Sequence, residues 1–162
     1  MERIYSKDLI YGFLSEAHAY ASQASDCTKV QVGSLLHTVD DKFFFGANIG
    51  IGYSCKENGC RRVALYGENS KDHRLPSDCN SLHSEVHAIG KAAASSTSTL
   101  GATLFITRYP CEACARAIVA AGIKQVYYGR EQEISDYTKQ ILDAGHVEYH
   151  HVSEWTAEDC TN

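Results

Sequence analysis

Between residues 7 and 24, KDLIYGFLSEAHAYASQA places Leu9, Ile10, Phe13, Leu14, Ala17 and Ala21 three and four apart. That spacing puts one apolar face on an amphipathic helix. The period then changes. VQVGSLLHTV (30–39) and KFFFGANIG (42–50) are β-rich runs separated by Asp40 and Asp41, which predicts a hairpin with a tight acidic turn. From Ile51 to Ser81 neither period persists, and Gly, Cys, Asn, Asp and Pro76 dominate. A structureless connection of that length is uncommon in a compact domain unless it is functional or held by a ligand. The pattern resumes as helix (84–95), strand (102–107), helix (111–121), strand (125–129), helix (134–144) and strand (146–151), with Gly122 and Gly145 at expected helix C-termini. Strands alternating with helices imply βαβ crossovers, hence an α/β fold whose mixed sheet carries helices on both faces. AAASSTSTLG (92–101) reads as a helix end and loop, and the polar stretch from Ser153 is expected to fray or dock loosely.

Composition narrows the class. A chain of 162 residues fits one domain, placed at 1–152, with an irregular insertion at 51–81 and a tail at 153–162. Its 44% hydrophobic and 22% charged residues are typical of a soluble globular protein. No run approaches the roughly 20 apolar residues of a membrane helix. MERIYSKDLI also lacks a basic region followed by an apolar block, so a cytoplasmic location is expected. A net charge of −5 argues against general nucleic-acid affinity. Seven cysteines make a disulfide framework improbable without an export signal, leaving metal ligation and free thiols as competing explanations.

Chemistry gathers in LHSEVHAIGKAAA (82–94) and RYPCEACARAI (108–118). Cys111 and Cys114 alone form an ambiguous Cys-x-x-Cys. A redox pair would leave His83 and Glu85 without a role, and a closed structural zinc site would need His87 or another cysteine as fourth ligand. An open zinc site needs three protein ligands, which His83, Cys111 and Cys114 supply. Both motifs fall at predicted helix starts, where unpaired backbone N–H groups favour thiolate. Glu85, unneeded as a ligand, is placed to take a proton from an activated water and pass it to a leaving group. H-x-E followed by P-C-x-x-C is the known pairing of zinc-dependent base deaminases.

On these motifs the chain resembles the cytidine deaminase superfamily, and within it the deoxycytidylate (dCMP) deaminases of phage type. HSE, PCEACARAIVAAGI and QVYYG are similar to that family's H-A-E, P-C-x-x-C-A-K-x-I and following strand. SQASDCTKVQVGSLL (22–36), Asn48 in GAN where the family has G-Y-N, and the Cys/His-bearing insertion resemble the nucleotide branch. The resemblance runs from the first helix to about Val152. It implies a three-layer α-β-α fold around a mixed sheet of about five strands. It also implies hydrolysis of dCMP to dUMP and ammonia, a step feeding thymidylate synthesis. Water activated at zinc would add to carbon 4 of the ring, and Glu85 would protonate the ring nitrogen and then the departing amine. Asn48 would hydrogen-bond sugar and base, the Ser84 and Cys111 backbones would meet the ring edge, and Tyr109 would pack against it. The plainer alternatives are a strand-end turn residue for Asn48 and a core aromatic for Tyr109. Family behaviour further implies a homohexamer, control by dCTP and dTTP with Mg2+ accompanying the effector, and host cytoplasm if the source is viral.

Phage-type relatives often carry a second, structural zinc between the first helix and the insertion. Cys27, Cys55, Cys60, His73 and Cys79 fall in that stretch, with scattered free thiols as the alternative, and Cys160 belongs to neither site. The chain departs from the family at Asp26, where a basic residue near the 5′-phosphate is common, at Ile49 where glycine is usual, and in REQEIS, which lacks a tyrosine. Arg130, Arg108, Arg61 and Lys29 are therefore the phosphate candidates. The competing functions are deamination of dCTP, cytidine or cytosine, deamination of tRNA adenosine, and a non-catalytic zinc module. The acidic balance and lack of a basic C-terminal helix count against tRNA. His83 stands where cytidine deaminases commonly use Cys, and a scaffold has no need of Glu85.

Overall fold

In the computed structural model, residues 3–68, 79–129 and 134–157 are described. Helix α1 (Lys7–Ala24) begins where the Ser6 hydroxyl accepts from the Leu9 backbone N–H, a side-chain N-cap. The hairpin follows as β1 (Gly33–His37) and β2 (Phe43–Ala47), paired antiparallel from Gly33↔Ala47 to His37↔Phe43. Asp41 turns it at φ 62°, a conformation its short polar side chain tolerates.

The insertion holds the short helices α2 (Cys55–Asn58) and α3 (Arg61–Tyr66) and is bracketed by β3 (Ile49–Gly50) and β4 (Ser81–Leu82), which pair antiparallel. The irregularity expected from residue 51 onward is thus partly corrected: segments too short to show a period still close single turns. After it come α4 (Ser84–Ala94), β5 (Thr103–Ile106), α5 (Glu112–Ala120), β6 (Gln125–Tyr128), α6 (Asp136–Ala144) and β7 (Glu148–His151). No helix among the described residues is long and apolar enough to cross a membrane.

The main sheet has the order β2-β1-β5-β6-β7. β1 runs antiparallel to β2 and β5, while β5, β6 and β7 are parallel. This is the expected five-stranded mixed sheet, and its strands alternate between two cores. Leu36, Leu104, Ile106, Val126 and Tyr128 join Ala88 and Ala92 of α4, Ala115 and Ile118 of α5, and Leu142 of α6. On the other face, Leu35, Phe105 and Tyr127 join Leu14 and Ala17 of α1 and Trp155. Burial on both faces explains why the strands read as continuous apolar runs.

Three local expectations change. Within residues 153–157 the chain is anchored by Trp155, which is 1% exposed. Its indole N–H donates to the Ser15 hydroxyl at 3.2 Å, and its ring passes Gly129 where a Cβ would lie 2.5 Å away. Leu9, assigned to the buried helix face, is 51% exposed because α1 buries only a narrower stripe. Gly145 ends α6 at φ −84°, and His146 takes the left-handed conformation at φ 53°. Glycine is required at 145 because a Cβ there would lie 2.4 Å from Val119.

Candidate active site

Two helix N-termini meet beside the sheet. The β3–β4 pair delivers the chain to His83, the N-cap of α4, in extended conformation (φ −68°, ψ 149°). α4 then lies directly on β2, and Gly46 is what permits it: a Cβ there would sit 2.0 Å from the Ser84 carbonyl oxygen and 2.7 Å from the Ala88 nitrogen. The helix is tied down further along. His87 Nδ1 accepts from the Ala47 N–H at 3.2 Å, and the Lys91 ammonium donates to the Phe45 carbonyl at 2.6 Å. His87, the candidate fourth ligand of a closed site, therefore faces the strand backbone.

The second N-terminus follows β5. Cys111 is the N-cap of α5, its sulfur accepting from the Cys114 N–H at 3.5 Å. His83 Nδ1 lies 3.5 Å from Cys111 Sγ and 3.3 Å from Cys114 Sγ. The three ligand atoms lie within 4.8 Å of one another, and among the described residues no other three His, Cys, Asp or Glu converge in this way. The crossover does the placing: β5 lies next to β1, and β1 next to β2 under α4, so residues 28 positions apart are brought together.

The electrostatics suit a cation. The Cys111 thiol is drawn down to about 4, chiefly by the hydrogen bond from Cys114, with His83 adding to it. Cys114 is pushed far up because it holds the proton the pair shares, and His83 is pushed up by its contact with Cys111. Two sulfurs and an imidazole suit zinc, and a dication binding there displaces the shared proton, since thiolate is the ligating form. Glu85 is 3% exposed, and burial pushes its carboxyl up, opposed by the charge of His83. A carboxyl whose proton affinity is raised in this way is better suited to carry a proton between two groups.

The model of the cytidine and deoxycytidylate deaminase zinc-binding region matches residues 9–130. The chain belongs to this family. It is 33% identical to the deoxycytidylate deaminase of Mycobacterium phage D29 over 124 residues, covering 74% of this chain and 92% of that one. It is 32% identical to human deoxycytidylate deaminase over 123 residues, covering 72% of this chain and 61% of the human one. The dCMP deaminase of cyanophage S-TIM5, solved with dCMP and dUMP, superimposes with a TM-score of 0.67 at 25% identity, covering 92% of this chain and 100% of that one. The chain spans under two thirds of the length of several curated relatives it matches, the human protein among them.

The remaining candidates are dispersed. Asn48 is buried and pins the loop before β1: Oδ1 accepts from the Val32 N–H at 2.9 Å and lies 2.7 Å from the Ser25 hydroxyl, and Nδ2 donates to the Val30 carbonyl at 2.7 Å. Among the described residues, its second amide N–H has no hydrogen bond in this network. Tyr109 is half-buried against the α4/α5 core, with the Arg108 guanidinium 5.2 Å from its ring centre. Lys29 and Arg61 are exposed, and Arg130 and His73 lie outside the described residues. Cys27, Cys55, Cys60 and Cys79 do not bring three ligand atoms together. The thiol of Cys55 is nevertheless pushed up, first by burial and also by Asp26, Cys60 and Cys27, so these groups are neighbours.

Sequence reasoning missed Gly46 and Arg62. A glycine inside a strand pattern signals a close backbone approach, and FFFGAN carries that signal. Arg62 of α3, next to the phosphate candidate Arg61, is a cation whose charge opposes protonation of His83. Nothing in the pattern of RRVALY distinguishes the two arginines.

Proposed function

We propose that this protein hydrolyses dCMP to dUMP and ammonia. The observation that carries the reading is the convergence of His83, Cys111 and Cys114 beside the buried Glu85, in a chain whose relatives include deoxycytidylate deaminases. His83, Cys111 and Cys114 would hold a zinc ion, which when bound would lower the proton affinity of water at neutral pH. Glu85 would accept a proton from water, deliver it to the ring nitrogen, and carry the second to the departing amine. Its burial keeps bulk water from competing for either transfer. The unused N–H of Asn48 is offered to sugar or base, the Ser84 and Cys111 backbones to the ring edge, and Tyr109 to its face.

For the phosphate we favour Arg62, because its charge is felt at His83 and guanidinium suits bidentate contact with phosphate. Arg130, which lies outside the described residues, is a second candidate. A structural zinc beside the insertion is a subsidiary proposal resting on the closeness of Cys27 and Cys60 to Cys55, whose thiol they help to push up. Two zincs per chain, falling to one in Cys55→Ser, would establish it, and one per chain would end it. Hexameric assembly and dCTP/dTTP control with Mg2+, in a cytoplasmic setting, extend the same reading.

The test is ammonia release from dCMP, dCTP, cytidine, cytosine, dAMP and dGMP, with and without dCTP as effector. dCMP is expected to be the preferred substrate. Activity on cytidine but not dCMP would overturn the nucleotide assignment, and a zinc-loaded protein inert on all of them would overturn the enzyme reading.

A further inference from the structure

The residue between His83 and Glu85 is a serine where the family motif has alanine, and its side chain makes a contact the motif does not call for. Ser84 Oγ lies 3.2 Å from Glu85 Oε2 and 2.6 Å from Ser34 Oγ. Ser34 and Ser84 are both 0% exposed and Glu85 is 3% exposed. Ser34 belongs to β1, pairing with Gly46 of β2 on one side and Ile106 of β5 on the other. It therefore sits on an interior strand of the sheet, beneath the N-terminus of α4.

A hydroxyl has one hydrogen, so the direction of the chain is determined. An ionised carboxylate only accepts, so Ser84 donates to Glu85. Its oxygen is then free to accept, and Ser34 donates to it. We propose that Ser34 and Ser84 are positioning residues for Glu85. They form a buried two-hydroxyl tether from β1 that holds Oε2 and leaves the other carboxylate oxygen to exchange protons with water and substrate. When the other oxygen takes up a proton, Oε2 remains a carbonyl oxygen that still accepts from Ser84, so it is held in both halves of the cycle. No bond other than O–H···O changes, and no co-reactant is required.

The tether makes predictions that a simple packing role does not. Removing the contact frees the carboxylate to sample unproductive rotamers, which slows proton transfer without altering ground-state binding. Ser84→Ala is expected to lower kcat about tenfold at unchanged KM, on the scale of one lost charge-assisted hydrogen bond. Ser34→Ala is expected to lower it about threefold, because Ser84 still reaches Glu85 but has lost its own support. The double variant should match Ser84→Ala, since Ser34 acts only through Ser84.

This rests on the deaminase reading, and the two fail differently. The wild-type panel above tests the reaction. The tether is read by the kcat pattern on whichever substrate the wild type deaminates, and independently by infrared spectroscopy of the metal-free protein. There, the Glu85 carboxyl band, assigned by subtraction of Glu85→Gln, should shift in Ser84→Ala and shift less in Ser34→Ala. Additive losses in the double variant, raised KM with unchanged kcat, or a Glu85 band insensitive to both substitutions would each overturn the tether.

Discussion

Two regions of this molecule carry cysteine, and they use it differently. At the α4/α5 corner the ligands sit on helix N-termini joined through adjacent strands of the sheet, and the three donor atoms lie within 4.8 Å of one another. In the insertion and the α1–β1 loop, Cys27, Cys55, Cys60 and Cys79 sit on loops, a helix cap and a four-residue helix, and among the described residues no three of their sulfurs meet. A metal centre needs backbone that is fixed before the metal arrives, or metal energy to fix it. The corner has the first. The insertion contributes an arginine whose charge reaches His83.

The largest effect should come from breaking the corner. Cys114→Ala removes a buried ligand, and zinc content by atomic absorption and deaminase activity should both fall to background. A zinc-loaded, active variant would equate the two regions after all. Arg62→Ala sharpens the insertion's part: KM for dCMP should rise about tenfold or more with little change in kcat, the cost of one charged hydrogen bond to phosphate. Steady-state kinetics checks it, and an unchanged KM would leave the insertion without a role in substrate binding.

A stability effect comes next. Gly46→Ala puts a methyl 2.0 Å from the Ser84 carbonyl, so α4 must shift. About 2 kcal/mol of destabilisation is expected, as for other overpacking substitutions, together with weaker zinc retention. Urea melts and metal dialysis measure both.

The smallest effect is a pH slope. His87 is held below its ordinary value, first by burial and then by the charge of Lys91. The folded state therefore binds fewer protons than the unfolded one near pH 6. The stability this contributes is complete above the unfolded value and declines as pH falls through it. His87→Gln should flatten the fall in midpoint temperature between pH 7 and 5 by about 1–2 °C, seen by thermal melts at both pH values.

Much of this was legible in the chain. The apolar period marked helix α1 at its observed ends, Lys7 and Ala24, and H-x-E with P-C-x-x-C named three candidate ligands whose donor atoms converge. Spacing succeeds there because regular elements convert it into direction. Where contacts cross between elements it did not. The burial of Trp155 depends on Gly129 and Ser15, far away in sequence. Asn48 clamps a loop through Val30 and Val32 that its own context does not reveal. Ser34 looks like any small strand residue until Ser84 is found 2.6 Å away. The insertion's short helices fall below the length at which a period can be read.

The central claim, that Glu85 moves protons at a site whose ligands are His83, Cys111 and Cys114, is tested most directly by Glu85→Gln. Zinc content should stay at the wild-type level while ammonia release from dCMP falls by about 10²–10⁴-fold, the usual contribution of a general acid–base group. Wild-type turnover in the zinc-loaded variant would contradict it.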